Sequence, residues 1–184
     1  MTKNQINVGT VEGNLILTES AEQKVDSVVN SLLTEISLTP IKIDFRKRSV
    51  PADVVIKVDY NNLQSQRFIL SQYQAYSASI ETSYESIDKN IINGKAKVFM
   101  MLDDLYFKAL SDIGLDPLFG DVNIELIREH ADNIIVKIIK GLKDFCYKSS
   151  NTPSDKESVE IGVNVIVAHA FVECRILENP NATV

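Results

Sequence analysis

Apolar side chains at residues 25–36 recur at three- and four-residue steps: Val25, Val28, Val29, Leu32, Leu33 and Ile36. That period predicts an amphipathic helix. Ser20, followed three residues later by Gln23, reads as a capping box at its start, and Pro40 ends it. The same rhythm returns in a longer stretch from Leu63 to Ile92, where Tyr73, Tyr76, Ile80, Tyr84, Ile87 and Ile91 form a near-heptad seam. Asn93-Gly94 stops it. The next helix runs from Lys95 to Ile113, burying Val98, Phe99, Leu102, Leu105, Tyr106, Ala109, Leu110 and Ile113, and ends at Gly114. Asp121 is read as the cap of a helix with a wide stripe through Ile124, Ile127, Ala131, Ile134, Ile135, Ile138, Leu142 and Phe145. Ser154 and Glu157 read as the capping box of the last helix, which carries Val159, Val163, Ile166, Val167, Ala170, Cys174 and Leu177 and stops before Asn179-Pro180.

Three segments carry a period of two instead. In NQINVGTVEGNLIL, Ile6, Val8, Val11, Leu15 and Leu17 alternate around Gly9 and Gly13, the pattern of two short strands and tight turns. IKIDF, Ile41 to Phe45, is a second fragment. Val54, Ile56 and Val58 read as a third, ending at Asn61-Asn62. Isolated strands are marginal in water, so this third one is expected to pair with one of the others or to lie as an extended loop over a helix. The fold class expected is mainly α, an antiparallel bundle of four to five helices with a small amino-terminal β element. Its parts are the β element (1–18), a helix plus extended connector (19–62) and the helical bundle domain (63–184).

The 184 residues, 45% of them hydrophobic, suffice for one main core. A formal charge of -6 argues against a basic field over the whole surface and confines any nucleic-acid contact to a local patch. Cys146 and Cys174 fall within apolar helical patterns, and the polar start MTKNQ has no signal-peptide character. A reduced cytoplasmic setting is expected. No apolar run has the ~18 residues needed to span a bilayer.

Candidate chemistry is sparse. His169 and Glu173 share a helix face at i, i+4, but with His130, Cys146 and Cys174 they make no paired ligand spacing, so no metal and no cofactor is expected. Cys174 is read as a core thiol on the buried stripe of its helix, hence inert. Asp103-Asp104 and Glu81 with Glu85 read as solvated faces. No nucleophile elbow or phosphate loop is present, and no catalytic residue is assigned. Arg46, Lys47 and Arg48, with Lys42 and Lys57 nearby, make the concentrated basic cluster and the candidate contact for phosphate or an acidic partner. Tyr73, Tyr76 and Tyr84 have two readings, core packing or an interface on a long helix. With Val8, Val11 and Leu15 of the β element they are the interface candidates.

Three of these stretches together resemble a family. NQINVGTVEGNLIL, ADVVIKVDYNNL (Ala52 to Leu63) and VNVIVAHAFVECRILENP (Val163 to Pro180) are similar to components of bacterial ABC-three component, Lamassu-like, defence systems. The resemblance covers nearly the whole chain. It implies an SMC- or Rad50-like ATPase and an effector, often a nuclease, as partners against phage or plasmid DNA. Members typically carry an amino-terminal catalytic domain, for which the 51 residues ahead of Ala52 are expected to leave no room. The expectation is therefore a non-enzymatic assembly or docking subunit that self-associates or binds larger partners. A local nucleic-acid contact through the connector is the alternative, and a small hydrolase a third.

Overall fold

The computed structural model describes residues 24–39, 52–116 and 123–180. They form six α-helices and a 3₁₀ turn, and no strand occurs among the described residues. The mainly helical class is as expected. The strands read at residues 1–18 and at Ile41 to Phe45 lie outside the described residues.

The first helix, α1, spans Val28–Leu38. Ser27 caps it, its side chain accepting the Asn30 N–H, so the helix starts at Val28 and not at Ser20. The reason is tertiary. Asn151 holds the Ser27 backbone from both sides, accepting its N–H at 2.7 Å and donating to its carbonyl at 2.9 Å.

Ala52–Tyr60 is a helix, α2, which overturns the strand reading of Val54, Ile56 and Val58. Val54, Lys57, Val58 and Asn61 are buried while Val55 and Ile56 are exposed, a spacing of 3, 1 and 3 that belongs to a helix face. The segment read from Leu63 to Ile92 divides. Asn62 takes a left-handed conformation, Ser65–Arg67 forms the 3₁₀ turn, and α3 then spans Phe68–Asn90. The carboxylate of Asp132 accepts the backbone N–H groups of Gln64, Ser65 and Gln66 at 2.9–3.3 Å and so anchors that turn.

Gly94–Ser111 forms α4, Ile124–Lys148 forms α5 and Lys156–Val172 forms α6. The caps of the last two are Asn123 and Asp155, each accepting an N–H of its own first turn, in place of the expected Asp121 and Ser154. α6 is the central element. It packs against α1, α3, α4 and α5, and Val163, Val165, Ile166, Val167, Ala168, His169, Ala170 and Phe171 are all buried. A helix apolar on every side belongs inside a core, and Gly162 lets α1 approach it: a Cβ there would sit 2.5 Å from Leu33 Cδ2. No described helix is long and apolar enough to cross a membrane.

Candidate functional site

Two polar clusters are built into this core. The first joins α2 to the turn after α6. Lys57, 4% exposed, donates through Nζ to the carbonyls of Phe171 at 2.6 Å and Ile176 at 3.2 Å, and stands 4.6 Å from the centre of the Phe171 ring. Burial lowers its pKa, an effect that Cys174 and Glu178 partly offset. Fully buried Asn61 donates to the carbonyls of Lys57 at 2.9 Å and Glu178 at 2.8 Å, and accepts the Glu178 N–H at 3.0 Å. The Tyr106 hydroxyl donates to the Glu178 carboxylate at 3.1 Å. Within this clasp Cys174 and Leu177 both adopt left-handed backbone, a strained state for non-glycine residues. Two corrections follow. Lys57 is not part of a basic surface, and Cys174 is neither helical nor buried: it lies beyond the end of α6 and is exposed. Cys146 is the core thiol, and burial pushes it up to about 12.

The second cluster sits at the other side of α6. His169, with no exposed surface, places Nε2 2.6 Å from Oε1 of Glu81 on α3. Glu173, one turn beyond His169 at the C-cap of α6, brings a third candidate ligand, and the three donor atoms lie within 4.8 Å of one another. Lys95 of α4 takes the other Glu81 oxygen at 3.1 Å. Partial burial pushes the Glu81 carboxyl up, but the hydrogen bonds from His169 and Lys95 outweigh it and hold the group below its ordinary value. Aromatic rings surround the imidazole: Tyr84, Phe99 and Tyr73 have centroids at 5.1, 5.8 and 6.3 Å. Lys95 and Arg175 each lie over the Phe99 ring at 5.5 Å. Burial and the charges of Glu81 and Glu173 raise the pKa of Tyr84, so the phenol stays protonated.

In the sequence His169 and Glu173 share a helix face without a third ligand at paired spacing. The fold supplies it from 88 residues upstream, a distance across which spacing carries no signal. Glu81 is exposed as read, yet it pairs with His169, while half-buried Asp103 pairs with Arg175. The tyrosine stripe turns inward. Tyr84 is 1% and Tyr76 8% exposed, so neither offers a surface to a partner, and Tyr73 packs half-buried beside His169. Val8, Val11, Leu15, Arg46, Lys47 and Arg48 lie outside the described residues.

On the outer face of α5 an open groove of about 490 Å³ is lined by Phe68, Val136, Ile139, Lys140, Lys143 and Tyr147, among others. Val136 and Tyr147 are 46% and 43% exposed. No protein-family model, no curated protein and no solved structure matches the chain.

Proposed function

We propose that this chain is a non-catalytic assembly subunit that self-associates through the outer face of α5. We further propose that it docks on an SMC- or Rad50-like ATPase and its effector in a cytoplasmic anti-phage or anti-plasmid complex. The observation that carries self-association is the second stripe on α5. Val136, Lys140, Lys143 and Tyr147 fall at helical spacing on the side away from the core stripe, with the partly buried Ile139 at its edge, and apolar groups grouped in one groove mark a contact surface. The favoured occupant is a second copy. A two-fold interface must be complementary to itself, and this face carries Lys140 and Asp144 one turn apart, so an antiparallel α5 sets each lysine against the partner's aspartate.

The place in a defence complex rests on the resemblance, and one geometric fact supports it. Two of the three stretches that carry the likeness, Ala52 to Leu63 and Val163 to Pro180, meet in the clasp. Their most distinctive polar residues, Lys57 and Asn61, are taken up by backbone groups there, which fits a folding signature better than a catalytic one. The strands read at 1–18 would add a second contact through Val8, Val11 and Leu15.

Sedimentation velocity over a range of concentrations tests the reading. Wild type should sediment as a dimer, and Val136→Glu with Tyr147→Glu as a folded monomer, since both positions are surface sites. A wild type that stays monomeric at the highest concentration, or a double variant that still dimerises, overturns it.

A further inference from the structure

We propose that Glu81, His169 and Glu173 bind one divalent ion of the zinc class, tying α3 to the carboxyl end of α6. The inference does not depend on the assembly reading and survives its failure.

The donor set is one imidazole and two carboxylates. That mixture suits borderline divalent metals, whereas magnesium and calcium prefer oxygen alone. The donor atoms lie within 4.8 Å of one another, while a tetrahedral ion bonded at about 2.1 Å needs them about 3.4 Å apart. His169 is fixed in the core, but both carboxylates are exposed and can rotate to close that difference. Lys95 already holds one oxygen of Glu81 and leaves the other facing the imidazole. The carbonyl end of α6 lies beside the site and favours positive charge.

A second observation points the same way. The Tyr84 hydroxyl and His169 Nδ1 are buried and have no hydrogen-bond partner. Leaving a buried polar atom unpaired is costly, and both belong to rings against this cluster. With an ion in place the Tyr84 hydroxyl acquires a use, while Nδ1 stays without a partner. Metal ligation needs the Nε2 lone pair, so the proton that Nε2 shares with Glu81 moves to Nδ1 or to solvent. The Tyr84 hydroxyl, in the field of both carboxylates, can donate to a ligand oxygen or to a metal-bound water. Nδ1 lacks the acceptor that usually supports a ligating histidine, which predicts weaker binding than at a closed structural zinc site.

Zinc chloride titrated calorimetrically into the chelator-treated full chain tests the proposal. The background is Cys174→Ala, so that the exposed thiol cannot contribute. The expected result is one saturable site per chain and a melting temperature that rises with zinc. Glu81→Gln and Glu173→Gln, both surface changes, should each weaken binding by at least the ~10–100-fold that loss of an outer-sphere partner costs. Absence of saturable binding overturns the proposal, as does an affinity equal in the parent and both glutamine variants, which would mark adventitious binding to scattered surface carboxylates.

Discussion

The clasp and the histidine cluster are both polar, both attached to α6 and both partly buried, yet they are finished to different degrees. In the clasp Lys57 and Asn61 direct their donors at main-chain oxygens 2.6–3.2 Å away, and Asn61 Oδ1 accepts in return. In the cluster a buried imidazole nitrogen and a buried phenol have no partner. A saturated polar network fixes a unique packing. An unsaturated one costs about 1–3 kcal/mol per stranded group. The two regions differ in completion, one with its polar groups paired and the other with two left unpaired beside exposed carboxylates.

The comparison can be broken most forcefully at Asn61. Asn61→Ala strands the Glu178 N–H and carbonyl, while the Lys57 carbonyl keeps the Asn61 N–H, and a loss of about 3 kcal/mol, the upper end for such groups, is expected in urea denaturation. A loss under about 0.5 kcal/mol would deny the clasp its structural role. Lys57→Met keeps the apolar stem and relieves a buried charge while stripping two carbonyls of a donor, so a smaller loss of about 1–2 kcal/mol is expected. A third change probes the anchor at the start of α3. Partial burial raises the Asp132 carboxyl, but N–H bonds from Ser65, Gln66 and Gln64 outweigh it and hold it below its ordinary value. A carboxyl depressed in the folded state stabilises above its unfolded pKa of about 3.9, and that contribution disappears as pH falls through the lower folded value. Thermal melts between pH 6 and about 2 should therefore show an acid-side loss that Asp132→Asn reduces; an identical acid limb in the variant would remove the anchor. The smallest effect, and opposite in sign, belongs to the cluster. Tyr84→Phe deletes a hydroxyl that bonds to nothing and should leave stability unchanged or raise it by up to about 1 kcal/mol.

Most of the helical core was legible because period and burial coincide. Ile134, Ile135, Ile138 and Leu142 on α5, and Val163, Ile166, Val167 and Ala170 on α6, are read from spacing and are all 1% exposed or less. The failure at α2 has a definite cause. Lys57 and, just past its end, Asn61 share the inward face with Val54 and Val58, so the helical stripe is hidden by polar residues, and Val54, Ile56 and Val58 alternate like a strand. Cys174 was misplaced because the apolar rhythm continues past Val172, although the chain there turns through left-handed backbone. Two of the three candidate metal ligands, His169 and Glu173, are visible in the sequence. Glu81 could not be, since only the packing of α3 on α6 brings it near.

Equilibrium urea denaturation of Asn61→Ala and Tyr84→Phe beside wild type tests the division between a completed clasp and an incomplete cluster most directly. The midpoint should fall clearly for Asn61→Ala and hold or rise for Tyr84→Phe, with the slopes unchanged. Equal losses in the two variants would mean that the Tyr84 hydroxyl is as much a part of the folded network as Asn61, and the contrast between the regions would be gone.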